Sequence, residues 1–86
     1  MGIGIGKQVK GLKQSAKCTI DDYSNDSILN LSEFLGFGFT DENLKNKKQR
    51  NKVKQKLKCH LDSCSVNRLI EVTSFMELYI PHELRF

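Results

Sequence analysis

Basic residues are the side chains of this sequence whose number and spacing most clearly point to a chemistry. Between residues 44 and 58 the chain carries eight basic residues and no acid. A surface covered by lysine can lie along a phosphate backbone, where each neutralised phosphate releases counterions. Because lysine is a point charge, such contacts give affinity and placement rather than recognition of base sequence. The residues of this segment that we predict to contact RNA are Lys45, Lys47, Lys48, Arg50, Lys52, Lys54, Lys56 and Lys58.

The charge of the whole chain is segregated in blocks, although the net charge is only +4. Residues 1–17 carry four lysines and no acid, whereas residues 18–43 carry six acids and no base. Two cationic segments on either side of an acidic one are typical of a polyanion-binding protein, and a merely solvated face explains them poorly. The predicted RNA-binding set therefore also includes the N-terminal lysines Lys7, Lys10, Lys13 and Lys17.

Cysteine and histidine residues do not form the patterns that a metal centre or a catalytic site needs. Cys59, His60 and Cys64 contain no Cys-x-x-Cys pair, which is the spacing typical of structural zinc. On a helix, Cys59 and His60 would point about 100° apart, which is wrong for a nucleophile and its base. The alternating glycines of residues 2–6 precede any predicted strand, so they do not fit a dinucleotide-binding loop. We expect no enzyme, no metal and no cofactor.

Length and hydropathy predict one small domain with a thin core. The chain has 86 residues, of which 38% are apolar, and this is close to the lower size for independent folding. No window reaches the roughly 18 apolar residues of a membrane span, and the first residues lack the apolar block of a secretory signal. Three cysteines cannot form a complete disulfide framework. We therefore expect a reduced protein of the cytosol or nucleus.

The spacing of apolar residues predicts two helices. Ser27 could cap a helix over residues 28–35, which the glycines Gly36 and Gly38 would end. A second, lysine-rich helix is predicted from residue 53, because several residues share an arc of roughly 100°, the width of a core-facing stripe. The residues of that stripe are Val53, Leu57, His60, Leu61 and Cys64.

Three other segments favour strands and predict a small β-sheet. Residues 17–21 alternate polar and β-prone side chains, and residues 69–73 are rich in β-branched ones. Residues 82–86 also alternate and could form an edge strand, where the neighbouring Pro81 is tolerated. We expect this last strand to pair with the first. The predicted fold class is α+β, with a small β-sheet packed against two helices.

The N-terminal segment is predicted to lie outside this domain. Residues 1–16 would be a basic tail, disordered or bound to RNA, ahead of a single α+β RNA-binding domain at residues 17–86. The four glycines of the tail oppose a helix, since each costs about 1 kcal/mol against alanine. One alternative remains: a basic amphipathic helix lying on a membrane surface. Its apolar residues would be Ile5, Val9, Leu12, Ala16 and Ile20.

Four segments of the chain stand in an order shared with a known family. Residues 17–21 read Lys-Cys-Thr-Ile-Asp, and residues 83–86 read Glu-Leu-Arg-Phe. Between them lie a helix ending in Phe-Leu at residues 34–35, a lysine-rich helix, and Leu-Ile-Glu-Val at residues 69–72. This order resembles the eukaryotic large-subunit ribosomal protein "L twenty-two" family, which opens with a Lys-x-Thr-Leu-Asp strand and closes with a Tyr-Glu-Leu-Arg-Tyr-Phe strand. The resemblance is fragmentary but collinear over most of residues 17–86.

The chain departs from that family in ways typical of a shortened, divergent member. Only a short polar stretch separates Phe39 from Val53, so the family's central β-hairpin looks deleted or collapsed. Leu69 stands where the family usually has tryptophan. Such trimming looks like that of a ribosomal protein from a lineage with a reduced genome.

The resemblance implies a structural constituent of the large ribosomal subunit that binds ribosomal RNA and neighbouring ribosomal proteins. The basic residues that match the family are Lys17, Lys54 and Lys58. The protein would act in the cytoplasm on the ribosome, with nuclear transit during assembly, and the basic run at residues 47–50 fits a nuclear-import pattern. It would have no small-molecule substrate and no membrane partner. The alternatives are a membrane-surface protein and a free nuclear nucleic-acid-binding module.

Overall fold

The computed structural model of the protein is an elongated helical bundle. It describes residues 2–84, except for the side chains of residues 2–5 and 83. The four α-helices are α1 (Gly2–Asp21), α2 (Asn25–Leu35), α3 (Lys47–Ser63) and α4 (Val66–Phe75). Two short 3-10 helices, Asp41–Leu44 and His82–Leu84, complete the described elements.

The predicted α+β fold is wrong, because residues 2–84 contain helices and no strand. Residues 17–21 are the last turn of α1, and residues 69–73 lie inside α4. Residues 82–84 form a 3-10 helix instead of an edge strand, while residues 85 and 86 lie outside the described part. The expected pairing between the first and last strands is therefore wrong as well.

Burial explains why a β-branched segment is helical here. Val72 and Thr73 are fully buried on the inner face of α4. The Thr73 hydroxyl donates to the Leu69 carbonyl at 2.8 Å, which satisfies it within the helix. Strand propensity is a weak preference that tertiary packing overrides, and the buried face of α4 provides that packing.

Residues 2–16 do not form the separate tail that the sequence predicts. They belong to α1, which continues without interruption through residues 16 and 17. Leu12, Ala16 and Ile20 are buried, with exposed fractions of 3%, 0% and 0%. Burying an apolar side chain of the size of leucine or isoleucine gains about 1.5–3 kcal/mol, which offsets the cost of about 1 kcal/mol for a helical glycine. Thus the apolar residues of this segment do lie at helical spacing. Those that the structure describes pack on the protein's own core rather than facing a membrane. The side chain of Ile5 lies outside the described part.

The core lies where α1 and α3 pack against each other, with α4 and the C-terminal 3-10 helix against α1. The predicted inner stripe of α3 is confirmed for Val53, Leu57 and Leu61, all at most 3% exposed. His60 and Cys64 lie at its margin and are half-buried. Leu84 is fully buried, so the C-terminal 3-10 helix contributes an apolar side chain to the core.

Helix α2 confirms the predicted helix at residues 28–35 but begins earlier. Ser24 caps it, because its hydroxyl accepts the backbone N–H of Ser27 at 3.3 Å. At the other end Gly36 adopts the left-handed conformation with φ of 82°. Its N–H donates to the Glu33 carbonyl and that of Phe37 to the Ser32 carbonyl, which is a Schellman motif.

Helix α4 ends in the same way, but with a residue that is less suited to the geometry. Glu77 has φ of 62° and donates its N–H to the Ser74 carbonyl, while Leu78 donates to the Thr73 carbonyl. A residue with a Cβ atom is strained in this region by about 1–2 kcal/mol, whereas glycine is not.

These two helix ends give a reciprocal prediction. Gly36→Ala should lower the melting temperature by roughly 5 °C or more, because about 1 kcal/mol corresponds to 4–8 °C in a domain of this size. Beyond the adjoining residues of the chain no atom lies within 4 Å of the added Cβ, so the loss would come from backbone strain alone. Glu77→Gly should leave the melting temperature unchanged or raise it. Thermal denaturation followed by circular dichroism measures both, and a loss in Glu77→Gly equal to that in Gly36→Ala would contradict the assignment.

Candidate nucleic-acid interface

Helix α3 carries its positive charge at a cost to its own stability. Asn46 caps it by accepting the N–H of Gln49 at 2.9 Å, and the first turn that follows holds Lys47 and Lys48 but no acid. A helix N-terminus disfavours cations, because the helix dipole places partial positive charge there. Like charges four residues apart destabilise a helix further, by about 0.2–0.5 kcal/mol per pair. A helix that carries such charges without an acid until Asp62 is suited to an anionic partner.

Two of the predicted RNA-binding lysines of α1 are engaged by α3. Lys17 forms an ion pair with the carboxylate of Asp62 at 2.6 Å, and the Lys13 ammonium donates to the Asp62 backbone carbonyl at 3.1 Å. Asp62 is the penultimate residue of α3. The helix dipole and the unpaired carbonyls at this end favour a cation. We call this arrangement the first lysine clasp.

The second lysine clasp mirrors the first, with the roles of the helices exchanged. Asp21, the last residue of α1, receives the Lys54 ammonium on its backbone carbonyl at 2.8 Å and forms an ion pair with Lys58 through its carboxylate. Both lysines belong to α3 and are half-buried. Lys54 and Lys58 therefore hold α1 in this structure, although the sequence predicts that they contact RNA.

Three lysines remain exposed along one face of α3. Lys48, Lys52 and Lys56 follow each other at intervals of four residues, so neighbours lie roughly 5–6 Å apart at Cβ. None has an acidic partner among the described residues. We call this row the basic ridge. Lys56 lies at its inner edge, where its ammonium is 5.7 Å from the centroid of the Phe39 ring.

The other predicted RNA-binding residues are dispersed around the ridge. Lys45 and Lys47 are exposed at the start of α3, and Lys7 and Lys10 are exposed on α1. Arg50 is half-buried, and its Nε is buried without a hydrogen-bond partner among the described residues. The structure thus brings Lys48, Lys52 and Lys56 together and places Arg50 toward the interior.

The three cysteines, Cys18, Cys59 and Cys64, are free thiols. Burial raises the pKa of the Cys64 thiol above its ordinary value, although the charge of Lys13 opposes this. Its Sγ donates to the Leu61 carbonyl at 3.5 Å, which is typical of a cysteine that packs as a small apolar group. Among the side chains that the structure describes, no group of three from histidine, cysteine and acidic residues is placed to hold a metal ion.

No known protein family matches the chain, and no curated protein or solved structure is significantly similar to it. Of the strand-like segments that carry the ribosomal resemblance, residues 17–21 lie in α1, residues 69–72 lie in α4, and residues 83 and 84 lie in the C-terminal 3-10 helix. No helix in the described part is long and apolar enough to cross a bilayer.

Proposed function

We propose that the protein binds RNA through contacts between the basic ridge and the phosphate backbone. The observation that carries this proposal is the row of three exposed lysines at four-residue spacing, with no acidic partner in the described part of the chain. Repulsion within this row weakens α3, and phosphate groups would relieve it. Lysine contacts of this kind give affinity that falls with salt and varies little with base sequence.

Binding of the intact protein to RNA duplexes of unrelated sequence tests this proposal. Fluorescence anisotropy at several salt concentrations should give similar affinities for all duplexes. The logarithm of the association constant should fall with the logarithm of salt concentration with a slope of roughly −2 to −3, the value for three phosphate contacts. Absence of binding at 50 mM salt would contradict the proposal.

A narrower proposal is that this RNA is ribosomal and that the protein is a constituent of the large subunit. It is supported by the collinear segments of the sequence and by the basic ridge. Sedimentation of the native protein through a sucrose gradient tests it, with the large-subunit fraction as the expected position. Protein found only at the top of the gradient in moderate salt would leave RNA binding intact but refute the ribosomal assignment.

Flotation with anionic vesicles separates RNA binding from the membrane-surface alternative. Leu12, Ala16 and Ile20, which would insert into a lipid surface, are buried in the core. We therefore expect the folded protein to remain with RNA when both are present.

A further inference from the structure

A small cavity of about 180 Å³ opens beside the basic ridge, between α3 and the segment that precedes it. Sites that enclose a drug-sized ligand measure roughly 300–1,000 Å³, so this cavity has room for one planar ring rather than a whole nucleotide. Two lysines of the ridge form part of its wall. The lining residues are Phe39, Asn43, Gln49, Lys52, Val53 and Lys56.

The Phe39 ring gives this cavity an aromatic wall. Phe37 stacks on it with 5.4 Å between centroids and 10° between planes, and His60 meets Phe37 edge-on at 5.8 Å. The ammonium of Lys56 lies over the Phe39 ring. If Lys56 turns toward a phosphate, its ammonium leaves the face of the Phe39 ring. A nucleobase can then stack on that face. Bases stack on such rings regardless of their identity, because every base has a π-face.

Two side-chain amides supply hydrogen-bonding groups at the rim. The Asn43 Oδ1 accepts the backbone N–H of Thr40 at 2.9 Å, which fixes the orientation of this amide. Its NH2 group has no partner among the described residues, and neither has the side-chain amide of Gln49. An amide offers both a donor and an acceptor, which is what the edge of an unpaired base requires.

We infer that this cavity is a base pocket, in which one unpaired nucleobase stacks on Phe39 while Lys52 and Lys56 hold the adjoining phosphates. The inference rests on the proposed RNA binding, because it uses two lysines of the basic ridge. It adds that the preferred partner is RNA with unpaired bases, such as a loop or a single strand. A paired base cannot enter, because its ring faces are stacked within the helix.

A fluorescent aminopurine placed in a short single-stranded RNA reports stacking directly. Its emission should be quenched on binding to the unaltered protein, and the quenching should be lost with Phe39→Leu. This variant keeps an apolar side chain but has no aromatic face. Its affinity for the single strand should fall roughly 10- to 100-fold, which is the usual effect of removing one stacking platform. Its affinity for an RNA duplex should stay within about twofold of the unaltered protein, because the ridge lysines are unchanged.

Phe34→Leu is the matched control, because Phe34 is also partly exposed and stacks on another phenylalanine, Phe75, at 4.3 Å. It should change neither affinity. Phe39→Tyr keeps the ring and should bind the single strand like the unaltered protein, so it separates loss of stacking from a folding defect.

The outcomes distinguish this inference from the proposal on which it rests. Equal affinity of the unaltered protein for single strand and duplex, without aminopurine quenching, would refute the base pocket and leave the ridge standing. Loss of duplex binding in Phe39→Leu with a normal helical spectrum would also refute it. Failure of the unaltered protein to bind any RNA would refute both.

Discussion

Replacement of Lys48, Lys52 and Lys56 together by glutamine should lower the affinity for duplex RNA roughly 100-fold at 0.1 M salt. For each phosphate contact, the logarithm of the affinity rises by about 0.7–0.9 when the salt concentration falls tenfold, from 1 M to 0.1 M. Loss of three contacts therefore removes about two log units at 0.1 M salt. The salt slope should become shallower by about two to three units for the same reason. Fold stability should rise slightly, because like charges four residues apart repel each other.

A variant with the same loss of charge elsewhere is the control for this prediction. Lys7, Lys10 and Lys45 are exposed and have no acidic partner among the described residues. Their combined replacement by glutamine should reduce affinity much less than the loss of the basic ridge. Equal losses in the two variants would mean that total charge controls binding, and a larger loss in the control would place the RNA surface at Lys7, Lys10 and Lys45.

Leu57→Ala should have the largest effect on stability. Leu57 is fully buried at the centre of the inner face of α3. Its truncation removes apolar burial and leaves a cavity, which typically costs 2–5 kcal/mol, a large share of the roughly 5–15 kcal/mol that stabilises a domain. Thermal denaturation followed by circular dichroism should show the variant partly unfolded at 25 °C or melting roughly 10 °C or more below the unaltered protein.

Leu57→Met provides the comparison, since it conserves side-chain volume and should cost less than about 1.5 kcal/mol. A melting temperature of Leu57→Ala within 2 °C of the unaltered protein would show that α3 does not pack through this residue.

The sequence predicted the parts of the fold that depend on local periodicity. The stripe of Val53, Leu57 and Leu61 repeats every four residues and lies inside as expected, and Gly36 ends α2 as expected. The strands failed because five-residue segments cannot distinguish a strand from a buried helical turn. Residues 69–73 show this well, since β-branched side chains tolerate a helix once its face is buried.

The candidate site could be predicted only as a set of charges. Which lysines face solvent depends on pairing between distant helices, and nothing in residues 44–58 reveals that Lys54 and Lys58 lie against Asp21. The proposed base pocket cannot be predicted from the sequence for a related reason. In the sequence Phe39 marks only the boundary of the missing hairpin, and its contact with Lys56 depends on the turn that brings the segment before α3 onto that helix.

The two lysine clasps also favour the antiparallel direction in which α1 and α3 pack. In the observed antiparallel arrangement, the aspartate at the end of each helix meets two lysines of the other. If the helices ran in parallel, Asp21 would lie near Asp62 and the lysine pairs would lie near each other, so every clasp would become a repulsion. The ion pairs of the two clasps are partly exposed and add little stability. Repulsion between like charges would nevertheless disfavour the parallel arrangement. Asp21 and Asp62 thus disfavour the parallel direction of the two helices, whatever the strength of each single contact.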